Sequence, residues 1–84
     1  MKLRELWALT ISEIHVDLCE YEGFDLCPLH ESYRFEANGD VYREDNGFDW
    51  KLEPEEWSFL FNLEVAEIMP ASCGKKNWLN VSVV

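Results

Sequence analysis

The chain has 84 residues, 17 acidic and 7 basic, and a net charge of −10. That length holds one domain, residues 1–84, and the charge excludes a surface that grips nucleic-acid phosphates or an anionic membrane directly. A hydrophobic fraction of 48%, with four Trp, five Phe and three Tyr, excludes global disorder.

The charge is unevenly placed. All 17 acids lie between Glu5 and Glu67, where only Arg34, Arg43 and Lys51 oppose them. The other cations, Lys2, Arg4, Lys75 and Lys76, sit near the two ends. Such a field attracts and steers a basic partner. The opening "MKLRELWALTISE" is interrupted by Arg4, Glu5 and Glu13 and does not read as a signal peptide. No run approaches the roughly 20 apolar residues that span a membrane. Three cysteines, an odd count without a leader, fit free thiols in a reducing cytoplasm, which is the expected location.

Leu3, Leu6 and Trp7 share a helix face and predict a short helix over residues 2–10. Thr10, Ile11 and Ser12 then favour a change of structure. "EIHVDLCEYE" alternates, with Ile14, Val16 and Leu18 on one side and His15, Asp17, Cys19 and Tyr21 on the other, the mark of a strand. Glu22-Gly23 signals a turn, and "FDLCPL" returns as a second strand, which would set Cys19 across from Cys27. Pro28 ends the pairing or marks an edge.

"SYRFEANGDVYRE" reads as strand, Asn38-Gly39 turn and strand. Asn46-Gly47 repeats the turn signal, and "FDWKL" puts Phe48, Trp50 and Leu52 on one face. Pro54 suits the first turn of a helix, and Glu55 and Glu56 suit its positive end, so a second helix is expected over residues 54–62. "LEVAEIM" fits a strand or a helix and stops at Pro70; "ASCGKKN" is a turn; "WLNVSVV" is a closing strand. The fold class is α+β with a mainly antiparallel sheet. Phe48, Trp50, Leu52, Trp57, Phe59, Phe61 and Trp78 are assigned to the core by default, but Phe59 falls off the Trp57/Leu60/Phe61 face, and an exposed Phe59, Tyr42 or Tyr33 amid carboxylates would be an interface anchor.

Chemistry has little support. Cys19, Cys27, His30 and Cys73 include the C-x-x-H spacing of "CPLH", but a structural zinc site needs a second ligand pair, and none is present. There is no phosphate-binding glycine loop, no H-E-x-x-H and no nucleophile elbow, so neither enzyme activity nor a cofactor is expected.

The acidic residues are the candidate site. Carboxylates two apart on a strand sit about 6.5–7 Å apart, near the spacing of successive phosphates on one nucleic-acid strand. Glu20 with Glu22 has that spacing. Asp40, Glu44, Asp45, Asp49, Glu53, Glu55 and Glu56, with Tyr42 as an aromatic contact, form the set selected for partner binding. The competing reading is that these acids only keep a small protein soluble.

The run "MKLREL", "EIHVDL", "EPEEW", "LEVAEI" and "WLNVSVV" resembles, over most of the chain, the plan of small acidic phage-encoded proteins of the host-interaction class, which includes anti-restriction and anti-CRISPR proteins. The resemblance carries no catalytic residues. It implies a binding inhibitor, without turnover, of a basic host protein such as a nuclease defence complex. The alternative is a structural or assembly protein that self-associates, for example as a homodimer, or binds another phage protein through apolar surface.

Overall fold

The alternation of residues 14–18 builds the centre of the fold: strand β1 (Ile14–Glu22) sinks Ile14 and Val16 completely into the core. The computed structural model describes residues 1–10 and 12–84; Ile11, where the sequence predicts a change of structure after the first helix, lies outside them. Strands β2 (Asp25–Phe35), β3 (Val41–Asp45) and β4 (Phe48–Leu52) continue from β1 as an antiparallel meander. β5 (Val65–Cys73) and β6 (Lys76–Val83) form a last hairpin. β6 lies parallel to β1, pairing Ile14, Val16 and Leu18 with Leu79, Val81 and Val83. The sheet order is β4-β3-β2-β1-β6-β5, and the fold is α+β.

Two short helices cover one face of this sheet. Helix α1 spans Leu3–Leu9, and helix α2, Pro54–Trp57, tightens into a 3₁₀ segment, Ser58–Asn62. Residues 54–62 are thus helical as the sequence indicates, with the second half in the tighter form common at helix ends. Each helix starts on a carboxylate. Glu5 accepts the Lys2 N–H at 3.0 Å and Glu56 accepts the Glu53 N–H at 2.9 Å, satisfying an amide at the helix start. Under the helices, Phe35 is fully buried and meets Trp7 and Trp57 edge-on at 5.4 Å, with Phe61 at 5.9 Å. Leu3, Leu60, Val41, Val81 and Val83 complete the fully buried set.

The turns follow their chemistry. Asn46 (φ 49°) and Gly47 (φ 84°) both take positive φ between Asp45 and Phe48, as a two-residue type I′ loop requires. At Asn38-Gly39 only Gly39 does so (φ 94°), while Asn38 turns its side chain to accept the Asp40 N–H at 2.9 Å.

Neither Pro28 nor Pro70 stops its strand: Pro28 lies on an edge, one of the two readings its position allowed, whereas the stop expected at Pro70 is absent. β2 runs on through Pro28. Its register jumps from Leu18↔Glu31 to Cys19↔Pro28, so Leu29 and His30 bulge out, His30 at φ 60°. β5 likewise runs through Pro70 to Cys73, and the turn is only Gly74-Lys75. Cys73 and Lys76 close that hairpin, so antiparallel alternation directs the amide positions of Ile68, Pro70 and Ser72 away from β6. Pro70 therefore sits on an edge strand where its missing N–H breaks no ladder bond.

Candidate functional site

Register decides what surrounds each acidic residue. On the helix-free face, β2 presents Arg34 beside Tyr42 of β3, and Glu44 of β3 lies directly opposite Asp49 of β4. Two like charges in that position repel. Arg34 resolves the conflict: its guanidinium reaches Asp49 at 2.8 Å, Glu44 at 3.2 Å and Glu36 at 3.4 Å, and lies 4.8 Å from the Tyr42 ring centre. The hydrogen bond to Asp49, against the desolvation of burial, raises the Arg34 pKa above its ordinary value, with Glu44 and Glu36 adding to the effect. Asp40 pairs with Lys51 at 3.4 Å and accepts from the Asn38 amide at 3.2 Å. Of the selected set, Asp40 is thus compensated by Lys51, and Tyr42, Glu44 and Asp49 gather around Arg34.

Asp45 is elsewhere. It pairs with Phe48 at the tip of the β3–β4 hairpin, on the helix-bearing side of the sheet, exposed and with no cation partner among the described residues. Glu53, Glu55 and Glu56 gather at the start of α2, all exposed. None has a cation partner among the described residues, and Glu56 is engaged with the Glu53 amide.

The side chains beside Asp45 are aromatic. Trp50 stands opposite Arg43. The Arg43 guanidinium lies 5.8 Å from the Trp50 ring centre and 5.9 Å from that of Tyr33. Phe59 meets Tyr33 edge-on at 6.4 Å. Glu31 is 4.0 Å from Arg43 and accepts the Tyr33 hydroxyl at 3.1 Å, while Arg43 Nε is buried without a partner. Burial, followed by that bond to Glu31, pushes the Tyr33 phenol up.

Three residues of this cluster remain open to solvent: Phe48 at 74% exposure, Trp50 at 45% and Phe59 at 46%. The sequence assigned Phe48 and Trp50 to the core, and Phe59 by default, while marking Phe59 as an interface anchor if exposed; all three are open to water. Alternation correctly places Phe48 and Trp50 on the face of Leu52, but among them only Leu52 lies under the helical cover. Trp78 also leaves the core. It is half-buried on the helix-free side, stacked on His15 at 5.2 Å, with its indole N–H donated to Asn80 at 3.1 Å. His15 bonds to Glu13, and Lys76 reaches the same carboxylate at 3.2 Å. Burial pushes Glu13 up, but the His15 and Lys76 hydrogen bonds outweigh it and hold the carboxyl below its ordinary pKa.

The thiols and His30 do not gather. Glu20, not Cys19, stands opposite Cys27, so the two thiols point to opposite sides of their hairpin. Cys73 lies at the far end of the sheet, on β5. Burial pushes the Cys19 thiol up, and Asp17, Glu67 and Cys27 reinforce this. Among the described residues no three His, Cys, Asp or Glu side chains are grouped to hold a metal ion, and no helix is long and apolar enough to cross a membrane.

Sequence reasoning missed Arg34, Arg43 and Phe48 as site-shaping residues. Arg34 and Arg43 lie on different strands, and only the cross-strand register shows that they take opposite faces and which acids and rings each one meets. An aromatic platform loses water easily, and a carboxylate at its edge, such as Asp45 opposite Phe48, accepts Lys or Arg. The chain matches no protein-family model, and neither a curated protein nor a solved structure is significantly similar to it.

Proposed function

We propose that this chain is a non-enzymatic protein-binding inhibitor, phage-encoded, that occupies the basic nucleic-acid-binding surface of a host protein such as a nuclease defence complex. The observation that carries the reading is the exposure of Phe48, Trp50 and Phe59, with Asp45 opposite Phe48 and without a cation partner among the described residues. Aromatic side chains and desolvated charge pairs are the usual energetic centres of an interface. Asp45, Glu53, Glu55 and Glu56 supply acceptors for Lys and Arg that otherwise hold phosphates. Asp40, Glu44 and Asp49 contribute less, because Lys51 and Arg34 already hold them. Inhibition is then competition for a groove, and affinity falls steeply with salt.

The test is affinity capture from host extract at low and moderate salt, followed by binding measurements on the recovered partner. Reversing Asp45 and Glu55 to Lys weakens binding about tenfold or more, equivalent to at least about 1.4 kcal/mol. Binding that ignores both the salt and the reversal sinks the mimicry reading. A second reading is an assembly protein that uses the aromatic cluster alone, and the exposure of Phe48 and Trp50 favours it equally. In that case Trp50→Ala abolishes association in sedimentation, and charge reversal leaves it intact.

A further inference from the structure

The β1–β2 hairpin outgrows the sheet. β6 last pairs with β1 at Leu18, and β3 last pairs with β2 at Ser32. Residues 19–30 therefore form a two-stranded ladder without a neighbouring strand on either side. Its rungs are Cys19↔Pro28, Glu20↔Cys27, Tyr21↔Leu26 and Glu22↔Asp25, closed by the two-residue turn Gly23-Phe24. At about 3.3 Å per residue it projects roughly 13 Å. The Leu29-His30 bulge sits at its root, where it bends the strand away from the sheet.

This element adds little to the core: of residues 19–30 only Cys19 is buried. A lone two-stranded hairpin is marginally stable. This one is weakened further, because Glu22 and Asp25 oppose each other across a rung and Glu20 lies on the same side. Residues 5–33 contain neither Lys nor Arg, so no neighbour in sequence relieves those charges. At the tip Phe24 is 104% exposed, with Tyr21 and Leu29 also open to water.

We infer that residues 19–30 are a docking finger for a protein partner that presents an apolar pocket rimmed by Lys or Arg. This rests on the protein-binding reading above and names a second contact element. Phe24 enters the pocket, Tyr21 packs at its mouth, and Glu20, Glu22 and Asp25 meet the basic rim. Charge selects the partner's rim, and the ring selects its pocket. The finger lies at the same end of the sheet as Asp45 and Phe48, since β1 and β3 both run toward it.

The full chain carrying the photocrosslinker p-benzoylphenylalanine tests this, placed in turn at Phe24, at Trp50 and at the exposed control Leu9. Each chain is irradiated in host extract and the adducts are mapped by mass spectrometry. The expected result is a Phe24-site adduct in an apolar pocket flanked by Lys or Arg. Excess wild type suppresses it; excess Glu20→Lys/Glu22→Lys/Asp25→Lys chain needs about tenfold more or higher. Phe24 adducts no more frequent than those from Leu9, equal competition by both chains, an adduct on a second copy, or one lacking a basic rim overturns the finger. Adducts from Trp50 alone overturn the finger and leave the protein-binding reading standing; adducts from neither site overturn both. A structural control accompanies these: Phe24→Ser and Glu20→Gln/Glu22→Gln/Asp25→Asn keep the melting temperature within about 2 °C or raise it. A larger fall makes the hairpin part of the fold and removes the inference.

Discussion

At the residue scale, Arg34 determines what the helix-free face presents. Replacing it by Gln leaves Glu36, Glu44 and Asp49 close together without their shared cation. Urea unfolding should show a loss of about 1–3 kcal/mol. Added salt should reduce that loss, because it screens the repulsion that remains. An undiminished loss at high salt would mean that packing of the Arg34 stem on Tyr42, not charge, is what matters. Tyr33 gives a second prediction. Its folded phenol holds its proton above the unfolded pKa near 10. The folded state therefore binds more protons in that range, and this contribution is complete below the unfolded pKa. It is lost as pH rises through the higher folded value. Tyr33→Phe should flatten the alkaline decline of stability, and it should remove a late-titrating phenol from the ultraviolet titration of the wild type. Ile14 and Val16 were readable from alternation alone as sharing one face of β1, which is the buried one. Arg34 was not, because a cation's role depends on residues ten and fifteen positions away that only pairing brings near.

At the element scale, local chemistry was the most legible part of the chain. The Asn46-Gly47 loop, the Pro54 helix start and the β1 alternation all stand as their sequences indicate. Gly47→Ala tests the first of these. A Cβ at Gly47 meets no atom within 4 Å, so its cost is purely that of holding alanine at φ 84°. Thermal unfolding should report about 1 kcal/mol of destabilisation with the fold unchanged. The stop read at Pro70 misled, because an edge strand tolerates Pro where its N–H would face outward. Phe48 and Trp50 misled for another reason. Periodicity tells which face a side chain takes, but how far a helix reaches across that face depends on tertiary placement. The α2–3₁₀ segment ends its cover near Leu52 and Leu60. The aromatic part of the candidate site exists because of that shortfall, so the sequence could supply its residues but not its exposure.

At the scale of the whole molecule, the charge is −10, yet much of the acid is tied down by cations carried on neighbouring strands. Glu13 joins the β1 root to the β5–β6 hairpin through Lys76. Its folded pKa is depressed, so its contribution is present above the unfolded value near 4.3 and is lost as pH falls through the folded one. Glu13→Gln should flatten the acid limb of a stability–pH profile below about pH 5 and leave the neutral plateau shape unchanged. An acid limb identical to wild type would assign the pH response to other carboxylates. The outward amides of β5 have a consequence for concentrated solutions. Ile68 and Ser72 offer donors, and Pro70 between them offers none, so a second chain cannot zip along that border. Pro70→Ala restores a continuous row beside exposed Ile68 and Met69. The expected outcome is turbidity and thioflavin-positive fibres at concentrations where the parent stays clear. One pyrrolidine ring would then be what separates a dispersed protein from a polymer.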